Sequence, residues 1–200
     1  MLVGAPRLYP VESTCCAQWG MWHVVSNRLM EPGQMFRASL RRAADAPSGF
    51  LFEEVPYLDI LVITQLVGGV ADDRVRSGDY ILSVDGETGG ERMRGLLEGQ
   101  EQVEATLVRP TVFRVSVPRS GRRLGLELRH APSGAALFVG EVEADGAVAA
   151  AGAELKPGDR LVAVSGLTTR VAMMEVLANS DAPELTVSRA PRPSGAALDP

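Results

Sequence analysis

The chain has 200 residues, 46% hydrophobic and 22% charged, a balance that favours a folded globular protein over a disordered one. Twenty basic against 25 acidic side chains leave a net charge of −5, which argues against a nucleic-acid binder, since tracking phosphates needs a positive stripe. Two adjacent cysteines, Cys15 and Cys16, and two histidines, His23 and His130, supply neither a disulfide framework nor a four-thiolate zinc site, and leave little for histidine catalysis.

Residues 1–34 read as a leader outside the rest of the pattern. The opening MLVGAPRLYP lacks the continuous apolar core of a secretory signal. No run in the chain reaches 18 apolar residues, so no membrane span is expected. Trp19, Trp22, Val25 and Leu29 approximate one face of a short helix.

Two units of about 75–80 residues follow, at 35–109 and 110–190, because the chain repeats itself. Phe36-Arg37-Ala38-Ser39 returns as Phe113-Arg114-Val115-Ser116, 77 residues on. Residues 75–86, VRSGDYILSVDG, return as 155–166, LKPGDRLVAVSG, 80 residues on. Leu97 matches Leu177 and Arg109 matches Arg189 at that same offset.

Within the first unit, 36–42 alternates apolar and polar residues as a half-buried strand does. Phe50 and Phe52 give a second strand with one apolar face, and 60–67 a third, followed by a glycine break at Gly68-Gly69. The short apolar run 80–84 suits a strand covered on both faces. A helix is expected at 90–99 and a closing strand at 103–108. The join Arg109-Pro110-Thr111 spans only about 10 Å and is stiffened by proline, so the units must touch or hold a narrow range of orientations.

The second unit repeats the order: strands at 112–119, at Leu126 and Leu128, at 136–142 and at 160–164. Lys156-Pro157-Gly158-Asp159 suits a type II turn. A helix is expected at 169–180, with Thr168 or Thr169 as its N-cap. A last strand covers 184–188, and the proline-rich tail 191–200 is expected to be disordered. The fold class is therefore α+β: two small, partly open β-barrels or sandwiches of five to six strands, each capped by one or two helices.

Both units resemble the PDZ domain family. The resemblance rests on a glycine loop before the second strand, Pro47-Ser48-Gly49-Phe50 and Arg123-Leu124-Gly125-Leu126. It rests also on a Gly-Asp-x-(Ile/Leu)-x-x-Val-x-Gly stretch at 78–86 and again at 158–166. Each loop opens on Pro47 or Arg123 where the family usually has glycine, Ser48 replaces an apolar residue, and Gly90 or Arg170 opens the helix in place of histidine.

The resemblance implies a non-catalytic adaptor or scaffold that captures C-terminal tails of other proteins. Physical chemistry supports such a role: a peptide can add as a strand to a sheet edge, and successive N–H groups in a glycine bend form a nest for a carboxylate. In the second unit the expected peptide-binding residues are Arg123, Leu124, Gly125, Leu126, Leu128, Arg170, Met174 and Leu177. Arg122 or Arg123 would add charge attraction, and a side chain on Gly125 would crowd the ligand. In the first unit they are Ser48, Gly49, Phe50, Phe52, Arg94 and Leu97. The second unit is the favoured binder, since Leu124 suits an apolar pocket and Ser48 does not. Residues 35–110 carry 8 basic and 13 acidic side chains, net −5, and 111–190 carry 9 of each. The first groove is thus expected to prefer more basic tails. No cofactor, metal or nucleic acid is expected, and the default compartment is the cytoplasm. The alternatives are a structural or regulatory pair with degenerate grooves, or a regulatory portion of a protease system.

Overall fold

The structure, a computed structural model, describes residues 32–41, 49–67, 72–131 and 136–191. The expected leader helix with Trp19 and Trp22, the Cys15-Cys16 pair, Ser48, Gly68-Gly69 and the tail after Pro191 lie outside the described residues.

In the first unit, strands β1 (Met35–Arg41), β2 (Phe50–Val55), β3 (Ile60–Leu66) and β4 (Tyr80–Val84) precede helix α1 (Gly90–Gly99) and strand β5 (Gln102–Val108). The second unit runs β6 (Thr111–Ser116), β7 (Leu126–His130), β8 (Leu137–Val142), α2 (Ala147–Ala150), β9 (Arg160–Val164), α3 (Arg170–Asn179) and β10 (Glu184–Arg189). Each forms an antiparallel five-stranded sheet, ordered β1-β5-β4-β3-β2 and β6-β10-β9-β8-β7. The α+β class and the repeat hold, and the sheets stay open instead of closing into barrels. As a result β2 and β7 each occupy a sheet edge.

Strand β6 ends at Ser116, short of the expected Arg119. The Val117 and Arg119 N–H groups still reach Pro183 and Asp181 O at 3.0 and 2.8 Å in the same register, but Pro183 has no N–H to return the bond, so the regular ladder stops there. The two Gly-Asp turns form as expected: Gly78 and Gly158 take φ +97° and +88°, and Asp79 and Asp159 N–H bond back to Arg76 and Lys156 O at 3.2 and 3.0 Å. Thr169 is the N-cap of α3, as expected, with φ −80° and ψ 140°, though its side chain makes no capping hydrogen bond.

A clamp recurs in both units. The Asp159 carboxylate accepts from the Lys156 N–H at 2.8 Å and from Arg189 at 2.7 and 2.6 Å. The Arg189 guanidinium also lies 4.8 Å from the Phe113 ring centroid. Asp79, Arg109 and Phe36 repeat this, with an ion pair of 2.9 Å and a ring distance of 5.8 Å. The matched spacing of Arg109 and Arg189 thus has a physical cause: each ties the last strand of its unit to the Gly-Asp turn.

Each unit has its own core. Phe36, Leu40, Leu61, Ile81, Met93 and Leu107 lead the first, and Leu137, Leu161, Met173, Leu177 and Leu185 the second. A third cluster joins them. Val55, Val62, Tyr80 and Val108 turn away from the first core and pack with Ala131, Ala136, Phe138 and Ala190 of the second unit. This explains the apolar run of β4, which is covered on one side by its own core and on the other by the second unit. The Tyr80 hydroxyl donates to Ser188 O at 3.2 Å. Leu58 seats against Gly158, where a Cβ would lie 2.9 Å from Leu58 Cγ. The short join is therefore accompanied by contact, as its length requires.

The seam also buries charge. Burial raises the Glu53 pKa above its usual 4.5, against the pull of Arg94 and Arg160. Burial lowers that of Arg160, against Tyr80 and Glu53. An acid whose folded pKa is raised favours folding below its unfolded pKa and loses that contribution as pH climbs through the folded value. Glu53→Gln should therefore exceed the wild type in stability most at about pH 7, the difference closing by about pH 4, in urea titrations across pH. Phe138→Ala should cost about 3–5 kcal/mol of unfolding free energy. A loss under about 0.5 kcal/mol, usual for exposed positions, would mean that the seam does not form in solution.

Candidate functional site

The loop entering β7 is shaped by three carbonyls. Arg123 O accepts from the Ala147 N–H at 2.9 Å, Leu124 O from Val148 at 3.1 Å, and Gly125 O from Glu143 at 3.0 Å. In a trans peptide the C=O and the following N–H point in opposite directions. Anchoring these oxygens inward on α2 and on the end of β8 therefore turns the N–H groups of Leu124, Gly125 and Leu126 outward. Among the described residues the N–H groups of Leu124 and Gly125 make no backbone hydrogen bond. Three successive outward amides form a nest for an anion.

Gly125 makes this geometry possible, though not for the reason expected. It takes φ +69°, and a Cβ there would lie 2.4 Å from Gly146 Cα. The crowding is with the protein's own backbone, because loop and α2 must approach closely for their hydrogen bonds to form. Arg123 also departs from expectation. Its guanidinium pairs with Asp145 at 3.0 Å and Glu143 at 3.2 Å, which offsets its charge beside the nest.

Beside this loop, β7 and α3 both contribute side chains to the second core. Leu126 and Leu128 are half-buried, and together with Leu124, Val176 and buried Leu177 they pack on the second core. Met174 is 45% exposed and contributes surface, not core. Arg170 is exposed at the start of α3. One residue escaped the sequence reading: Arg119 donates to Leu177 O, and to Ala178 O at 3.3 Å. It satisfies carbonyls left over at the end of α3 and ties that end to the segment leading into the nest. No periodicity or motif marks it.

The first unit brings Phe50, Phe52 and Leu97 together on its core, with the two rings 5.9 Å apart. Gly49 accepts from the Val67 N–H at 3.0 Å, as Gly125 does from Glu143. In this unit β2 and α1 are tied directly to each other by side chains. Glu54, at the end of β2, pairs with Arg94 of α1 at 3.1 Å. Glu54 also lies so close to the helix start that a Cβ on Gly90 would be 3.1 Å from it. Asp59 adds a second tie, accepting from the Gly90 N–H at 2.7 Å. The positions matching Glu54, Arg94 and Gly90 in the second unit are His130, Met174 and Arg170, all exposed.

No group of metal-ligating residues occurs among the described residues. No helix there is long and apolar enough to cross a membrane.

Residues 114–187 match the family model of the PDZ domain. Among solved structures the chain is similar to INAD PDZ45 in complex with NORPA CC-PBM, at 18% identity over 82% of this chain and 94% of that one, TM-score 0.36. It is similar to INAD PDZ45 in complex with an NG2 peptide, at 19% identity over 86% and 96%, TM-score 0.38. Dlg1 PDZ2 of the choanoflagellate Monosiga brevicollis matches at 25% identity over 40% of this chain and all of that one, TM-score 0.35. No curated protein matches the chain.

The Gly125–Gly146 approach makes Gly125 a stability residue. Gly125→Ala should lower unfolding free energy by about 1–3 kcal/mol through backbone strain and forced separation, measurable by thermal melting without any ligand. An unchanged melting temperature would show that the loop does not hold this geometry.

Proposed function

We propose that this chain, which belongs to the PDZ family through residues 114–187 and repeats that strand order in residues 35–108, is a non-catalytic peptide-binding adaptor. Its second unit takes the free C-terminus of a partner polypeptide. The observation that carries this reading is the row of outward amides at Leu124, Gly125 and Leu126 at the head of the edge strand β7. A carboxylate settles on the amides, and the residues before it add to β7 as a sixth strand through main-chain hydrogen bonds. The half-buried Leu126 and Leu128, with Leu177, favour an apolar last side chain. Arg170, at the start of α3, faces the third-from-last residue and favours an acid there. Arg119 is a positioning residue, keeping α3 at its distance from the loop. A single groove of this kind binds at about −8 kcal/mol, roughly micromolar.

The same reading makes the units unequal. In the first groove Glu54 occupies the gap that a ligand side chain would enter, and Arg94 holds it. A half-exposed pair of this kind is worth under about 1 kcal/mol, so it biases the first groove against ligand without sealing it. The first unit then serves mainly to cover the seam.

Two measurements test these readings. Isothermal titration with matched peptides should show at least a 10-fold loss of affinity, about 1.4 kcal/mol, when the terminal carboxylate is amidated. Equal affinities would refute carboxylate capture. Glu54→Ala should strengthen a weak second site up to about 5-fold. No change at that site would refute the self-occupied groove.

A further inference from the structure

The second groove does not end within the second unit. Leu128 lies opposite Val139, whose N–H bonds away from β7 to Asp159 O at 2.8 Å. Ala131 N–H bonds toward β8, to Ala136 O at 3.2 Å. By alternation, the backbone groups of Leu128 and His130 face the open edge. A peptide running antiparallel to β7, its carboxylate on the amides of Leu124 and Gly125, sets its last residue beside Leu126. Its third-from-last residue then lies beside Leu128, and its fourth-from-last beside Arg129. Directly opposed residues on neighbouring strands share a face. The fourth-from-last side chain therefore stands over Arg129, on the face away from the core.

On that face the first unit is present. The Arg129 guanidinium lies 5.0 Å from the centroid of the Tyr57 ring. Tyr57 belongs to the β2–β3 turn, adopts φ +70°, and is 46% exposed. Leu58, next to it, is anchored against Gly158 across the seam, so the ring is held where it is. Arg129 Nε donates to Glu127 at 3.1 Å. Its terminal N–H groups make no hydrogen bond among the described residues. A guanidinium over an aromatic ring, with its terminal donors free, suits a carboxylate.

We propose that Tyr57 of the first unit and Arg129 of the second form one subsite, which selects an acidic side chain at the fourth-from-last position of the bound tail. This deepens, and rests on, the assignment of the second groove as the peptide site. It gives the first unit a direct part in recognition, through a turn remote from its own groove.

The test uses the full chain and a labelled hexapeptide with a free carboxyl terminus, Ser-Lys-Glu-Asp-Ser-Leu, beside its counterpart with alanine for glutamate. Fluorescence anisotropy should show the glutamate peptide binding about 5-fold tighter, the range of a partly exposed ion pair. Tyr57→Asn keeps a residue that tolerates left-handed backbone. It should cut the preference below about 2-fold without weakening the alanine peptide. Arg129→Gln should do the same, and circular dichroism confirms that both variants fold. A preference that survives Tyr57→Asn overturns the shared subsite while leaving the groove intact. If neither peptide binds the wild type, the groove assignment falls and the subsite falls with it.

Discussion

Three carbonyl oxygens pointed inward decide what the second unit presents outward. Arg123, Leu124 and Gly125 give their acceptors to Ala147, Val148 and Glu143, and the planarity of the peptide group does the rest. The anion site is thus not assembled from charged side chains. The nearest candidate, Arg123, is already partnered by Asp145 and Glu143. The proposed carboxylate site relies on oriented backbone dipoles, held by the short helix α2 and by the glycine-to-glycine contact at 125 and 146.

The same economy shows in the clamps. Asp79 with Arg109, and Asp159 with Arg189, join the turn before β4 or β9 to the end of β5 or β10, each with a phenylalanine beneath the guanidinium. A buried carboxylate is costly unless it is paired and hydrogen-bonded, and each of these accepts a backbone N–H and forms an ion pair with its arginine. Duplicated units keep this pairing because removing either partner strands the other.

Duplication has not kept the grooves alike. Glu54 and Arg94 pair between β2 and α1 in the first unit, where the second has His130 and Met174 at the matching positions. The seam then turns the pair into one body. Tyr80, buried against Phe138 and bonded to Ser188, leaves the first sheet no wet outer face where the second unit covers it. The first unit covers its neighbour and places Tyr57 beside the neighbour's edge strand.

Much of the architecture was legible in residue order. Period-two alternation located the strands, the repeat at offsets of 77 and 80 set out two units, and Pro110 implied that they touch. Short-range rules suffice there because strand faces, proline and turn glycines act on their immediate neighbours. The purposes of particular side chains were another matter. Nothing near Gly125 announces Gly146, nothing near Arg123 announces Asp145, and nothing in β2 announces that Glu54 will meet Arg94 forty residues later. Local pattern along the chain determined which segments become strands, turns and helices. Only the folded arrangement decided which side chains meet within each unit and across the seam, because those contacts join residues that are distant in the chain and adjacent in space.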